Sequence, residues 1–87
     1  MYNFKIYKES CFNGFNPIFL EKFTSKNIKK GLQKTVKKMQ EYINNGTVND
    51  YTSFAKGYLF VKNNIYSIFT EGYGSNQKIK LCKENPF

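Results

Sequence analysis

Ile28, Leu32, Val36, Met39 and Ile43 recur at spacings of four, four, three and four. That period gathers all five on one stripe of an α-helix, and such a stripe has to be buried. The spacing predicts a helix over residues 26–44, with Ser25 or Thr24 as N-cap and Asn44, Asn45 and Gly46 as a natural stop. Lys26, Lys30, Lys34, Lys37 and Lys38 then fall on the side away from the stripe, with Lys29 at its flank.

The remainder of the chain reads as strands and turns. Residues 2–8 place Tyr2, Phe4 and Ile6 on one side and Asn3, Lys5 and Tyr7 on the other, the period of a half-buried strand. A turn-prone stretch over 11–17 separates it from residues 18–23, which are apolar, rich in β-formers and suited to a second strand. After a polar connection with a short turn of helix expected near residues 50–56, strands are expected at 57–62, 65–70 and 77–83. Asn63 and Asn64 supply a two-residue hairpin link, and Glu71, Gly72, Tyr73 and Gly74 begin a second turn rather than a phosphate loop. The expected fold class is α+β, an antiparallel sheet of four to five strands with one long amphipathic helix packed on one face, in the order β(β)αβββ.

With 87 residues the chain forms one small basic domain over 1–87, since a chain of this size buries only about 60% of its unfolded surface. No repeat or linker interrupts it. Sixteen Phe and Tyr residues supply core material that a disordered chain lacks.

A hairpin pairing Val61 with Tyr66 and Leu59 with Ile68 puts those four on one face. Tyr58, Phe60, Lys62, Ile65 and Phe69 then share the other. Both faces are apolar, and the favoured arrangement has the helix over the first and the Phe-rich segment between Phe12 and Phe23 over the second. The competing arrangement leaves the second face as an exposed aromatic platform or a homodimer surface.

Charge narrows the function. All 14 basic residues are lysine and only six side chains are acidic, for a formal charge of +8. Lys, Asn, Ile, Tyr and Phe make up 48 of the 87 residues, an AT-rich codon bias that accounts for lysine in place of arginine but not for the excess of base over acid. Lys26, Lys29 and Lys30 occupy the expected first turns of the helix, where the macrodipole favours anionic side chains. Clustered ammonium groups beside unpaired backbone N–H groups make an anion site, and phosphate is the commonest biological anion. The bland alternative is a solvated face furnished by the codon bias.

The function expected is therefore non-catalytic binding. Lys26, Lys29, Lys30, Lys34, Lys37 and Lys38 would engage nucleic-acid phosphate or an acidic protein surface, a nucleoprotein complex included. Tyr7, Tyr58, Phe60, Lys62 and Phe69 are candidate stacking or interface residues. The rival class is a phage or mobile-element inhibitor that docks on a host nucleic-acid-processing protein, as an anti-CRISPR inhibitor does. A small toxin ribonuclease ranks third, because without histidine the commonest general base is missing. No cofactor and no metal site are expected. Cys11 and Cys82 lie 71 positions apart without a CxxC, the mark of buried or idle thiols rather than of zinc or a disulfide framework. No apolar run approaches a membrane span, and the alternating start lacks the h-region of a signal peptide, so a cytoplasmic chain is expected, in the host cytoplasm for a phage-encoded one.

Overall fold

The computed structural model describes residues 1–10, 16–49 and 52–84. Five strands, β1 (Tyr2–Ser10), β2 (Ile18–Ser25), β3 (Ser53–Val61), β4 (Asn64–Glu71) and β5 (Lys78–Glu84), form one sheet in the order β2-β1-β3-β4-β5, antiparallel throughout. The helix α1 (Ile28–Asn44) packs across one face. This is the expected α+β arrangement with the optional strand present.

The core lies between α1 and the sheet. Phe4, Ile6, Leu59 and Ile68 are buried on the helix-facing side, with Phe23, Ile28, Leu32, Val36, Tyr66 and Ile79 packed around them. The apolar stripe of α1 is only half-buried, however, and its two buried residues are Gly31 and Thr35. A Cβ on Gly31 would stand 2.1 Å from the tip of the Phe4 ring, and one on Gly57 would stand 2.4 Å from Cγ2 of Thr35. Small residues thus set how closely helix and sheet approach, and the larger side chains of the stripe close the flanks. The Thr35 hydroxyl, buried at that contact, donates to the Gly31 carbonyl at 2.8 Å and so keeps its hydrogen bond.

Three local expectations are corrected. The helix begins at Ile28 with Asn27 as N-cap, not Ser25 or Thr24, because Ser25 is still paired with Tyr2 in the sheet. Asn27 Oδ1 accepts from the Lys30 amide at 3.1 Å, while Ser25 Oγ accepts from the Asn27 amide and braces the cap. Lys26 therefore lies ahead of the helix. At the other end Asn45 caps and Gly46 follows at φ +82°, as the Asn44–Gly46 signal indicated.

The second correction concerns residues 50–56. Asp50 and Tyr51 lie outside the described residues, but 53–56 are the first part of β3, paired with residues 7–10 of β1. The third concerns the β3–β4 hairpin. Leu59 pairs with Tyr66 and Val61 with Asn64, so the turn residues are Lys62 and Asn63. The face assignments survive because the register moved by two, which preserves side-chain alternation. Lys62 pays for this with φ +55°. A left-handed backbone costs an L-residue about 1–2 kcal/mol, so Lys62→Gly is expected to raise stability by about 1 kcal/mol, read as a higher denaturation midpoint at unchanged slope.

Between β1 and β2 the register slips: Ile6 pairs with Glu21 but Tyr7 with Phe19, leaving Leu20 as the extra residue of a bulge. The slip brings Phe19 to the face of Tyr7. On the helix-facing side Glu21 accepts a hydrogen bond from the Tyr42 hydroxyl at 2.6 Å, tying β2 to the last turns of α1. Burial, followed by the bond to Glu21 and its charge, pushes the Tyr42 phenol up to about 12 from an ordinary 10. The unfolded chain gives up this proton first, so the Tyr42 contribution to stability is intact below pH 10 and disappears between pH 10 and 12. Tyr42→Phe is expected to flatten that part of the stability profile, measured by urea unfolding at stepped alkaline pH.

Candidate binding surfaces

The outer side of α1 is a lysine field. Lys26, Lys29, Lys30, Lys34 and Lys37 are exposed, and the first turn contains no acidic residue. Two of the helical lysines are engaged within the chain: Lys38 pairs with Glu41 at 3.6 Å, and the Lys34 ammonium lies 4.5 Å from the centre of the Phe23 ring. Lys29, Lys30 and Lys37 form no ion pair with any described residue. Between Lys34 and Lys38 the surface forms a shallow depression lined also by Gln33, Lys37 and Glu41.

The sheet face turned away from α1 is the second surface. Aromatics from β1, β2 and β3 gather on it: Tyr7 meets Phe19 edge-on at 5.6 Å and Tyr58 at 5.7 Å, with Phe60 and Ile65 beside them. The expected Phe-rich cover is not what residues 18–23 provide, since they lie in the plane of the sheet as β2; residues 11–15 lie outside the described residues. Phe19, Phe54 and Phe69 remain 49%, 41% and 39% exposed. An aromatic face partly open to solvent is what the structure shows.

Charges on this face are sorted. Glu9 accepts from the Tyr58 hydroxyl at 2.9 Å, and Glu84 pairs with Lys56 at 3.8 Å. Burial first, and then the bond to Glu9, hold the Tyr58 phenol well above its ordinary range, so it stays protonated and anchors Glu9 instead of acting as a base near neutrality. The Lys5 ammonium lies 4.8 Å from the centre of the Phe60 ring, a contact worth about 0.5–1 kcal/mol at an exposed site. Lys5 and Lys22 stand directly opposite one another across β1 and β2, and Lys80 stands opposite Phe69 on β5.

The structure thus brings Tyr7, Tyr58, Phe60 and Phe69 together on one face, and places Lys26, Lys29, Lys30, Lys34, Lys37 and Lys38 on the other layer of the molecule. The two sets are not one site. Lys62 sits exposed in the turn between β3 and β4. Lys78 and Lys80, paired with Glu71 and Phe69, extend the open sheet face and not the helical field. Lys5, Lys22 and Phe19 are the surface residues that sequence reasoning passed over. Lys5 shares its side of the first strand with Tyr7, a visible signal, but its position opposite Lys22 depends on pairing between strands.

Among the described residues no group of three metal-ligating side chains converges, and no helix is long and apolar enough to cross a membrane. Cys82 is an exposed free thiol, while Cys11 lies outside the described residues. The chain matches no protein-family model, no curated protein and no solved structure.

Proposed function

We propose that the chain is a non-catalytic binding module whose α1 lysine face engages nucleic-acid phosphate. The observation that carries this reading is the set Lys29, Lys30 and Lys37, exposed and without an ion-pair partner among the described residues, on a helix whose N-terminal half has no acidic residue. Lys29 and Lys30 work against the helix dipole, which an anion from outside would complement. From Lys29 to Lys38 the cations extend over about 14 Å of helix at 1.5 Å per residue, a length suited to a row of phosphates rather than to one carboxylate.

Lysine contacts of this kind position a protein on the phosphate backbone without reading bases, so weak sequence preference and a steep salt dependence are expected. The test is the mobility and the ultraviolet absorbance ratio of the purified protein at low and high salt, followed by titration of labelled nucleic acid across salt concentrations. A flat log-log plot would remove the reading. Capture of a host protein from nuclease-treated extract, with no affinity for nucleic acid, would favour the inhibitor class instead.

A further inference from the structure

The open sheet face contains a cleft of about 550 Å³ lined by Asn3, Lys5, Lys22, Thr24 and Phe60, together with Phe4 and Phe23. Its position in the strand register is unusual. Lys5 faces Lys22 across β1 and β2, a like-charge pair that destabilises a sheet when nothing lies between the two ammonium groups. The next open-face pair along the same strands is Asn3 with Thr24, and Asn3 is paired on its other side with Phe60. Two cations, an amide, a hydroxyl and an aromatic ring therefore lie within two register steps of one another, with the Lys5 ammonium turned to the Phe60 ring. The acids of this face that have partners in the chain, Glu9 and Glu84, are turned to Tyr58 and Lys56, and neither Lys5 nor Lys22 has an ion-pair partner among the described residues.

We propose that this cleft holds one nucleotide of a single-stranded nucleic acid, with its phosphate between Lys5 and Lys22 and its base stacked on Phe60. The anion relieves the repulsion between the opposed lysines. When Lys5 turns to the phosphate it leaves the ring of Phe60 to the base, exchanging a weak contact for a charge-assisted one. Asn3 and Thr24 are placed to donate to the sugar or the base edge, and Tyr7, Tyr58 and Phe69 continue an aromatic surface beyond the cleft, with Lys80 opposite Phe69 for a further phosphate. Stacking on rings between lysines is how sheet faces take up unpaired bases with little regard to sequence. A duplex, whose bases are already stacked, offers nothing to Phe60. The site is on the layer opposite the α1 lysines, so it stands or falls apart from the function proposed above.

The test uses the full chain and fluorescein-labelled 12-mers of uridine and of thymidine, with a duplex of equal length and uridine monophosphate as comparisons, read by anisotropy over a salt series. Phe60→Ala is expected to weaken binding of the single strands about tenfold or more. Lys5→Gln with Lys22→Gln is expected to flatten the log-log salt slope by about 1.4. Phe60→Leu keeps apolar bulk at a half-buried position and loses the ring, so a drop shared by both Phe60 variants with unchanged circular dichroism is a loss of stacking and not of fold. Substituting Lys29, Lys30 and Lys37 leaves the Phe60 dependence in place if the two surfaces are separate. With Lys29, Lys30 and Lys37 replaced by glutamine, so that α1 no longer contributes, the proposal is overturned by single-strand affinity indifferent to Phe60 and to the Lys5–Lys22 pair, by equal affinity for the duplex, by a monophosphate binding as tightly as the strand, or by a Phe60-dependent protein partner with no oligonucleotide binding.

Discussion

Gly31→Ala is expected to destabilise the protein by about 2 kcal/mol, although alanine is the better helix former by about 1 kcal/mol. Position 31 is buried where α1 comes closest to the sheet, and the added Cβ would lie 2.1, 2.3 and 3.0 Å from three atoms of the Phe4 ring. That ring cannot swing aside cheaply: it has no exposed surface and is stacked on Phe23 at 5.1 Å with the planes 7° apart. Relief requires the helix to lift, which opens the contact of Thr35 with Gly57 a turn further on. Overpacking of this kind costs about 1–3 kcal/mol, and the overlap here belongs at or above the upper end of that range before the propensity gain is subtracted. For a domain of this size the melting temperature should fall by roughly 8–16 °C. Phe4→Leu in the same chain should recover part of the loss, giving a coupling energy in the double-mutant cycle. A Gly31→Ala protein that melts higher than the parent would mean that helix and sheet are not in contact at this point.

Replacing Lys29, Lys30 and Lys37 together by glutamine should separate binding from stability, moving the two in opposite directions. Each phosphate contact contributes about 0.9 to the log-log salt slope on duplex DNA, so losing three lowers the slope by about 2.7. Binding curves that converge near 1 M salt would then differ by about 500-fold at 0.1 M. Folding stability should rise in the same variant, since Lys29 and Lys30 stand at the positive end of the helix dipole and each costs about 0.3 kcal/mol or more there. Glutamine is one atom shorter but still a polar donor with nearly the same helix propensity, so a change in binding reports chiefly charge. Filter binding or anisotropy over a salt series, with thermal melts of both proteins, reads the two effects. Undiminished binding in a sturdier protein would leave the lysine face with solvation as its only role.

The helix and the strands were legible in the chain because side-chain periodicity is local. Ile28, Leu32, Val36, Met39 and Ile43 declare a helix without reference to anything else, and the alternation of Tyr2, Phe4 and Ile6 declares a strand. The binding surfaces were half legible. Membership of the helical lysine field follows from the same period, and so does the grouping of Tyr58, Phe60 and Phe69. The β3–β4 register did not follow, because a shift of two residues leaves every apolar side chain on its own face and the pattern cannot detect it. Asn63–Asn64 was the chemically easier turn, yet Lys62 accepts a positive φ instead.

The N-terminal limit of α1 was ambiguous for another reason. Thr24, Ser25 and Asn27 are all competent caps, and the choice fell to Asn27 only because Ser25 remains engaged with Tyr2 across the sheet. In the same way residues 53–56 have no strong local preference, and pairing with the far end of β1 makes them strand.

Residue order alone thus established the kind and succession of the elements, the side of each on which its apolar and cationic groups lie, and the excess of positive charge. Contacts between elements decided everything that depends on distance across the chain: that Gly31 and Gly57, not the large apolar residues, mark the closest approach of the layers; that a bulge at Leu20 carries Phe19 to the side of Tyr7; that Lys5 is paired with Lys22 in the strand register; and that the lysine field and the aromatic face look in opposite directions. The physical reason is that a helical or pleated period is a property of neighbouring residues. Register, bulges and interlayer spacing are set by the packing of side chains that are remote in the chain, and no window of sequence contains both partners.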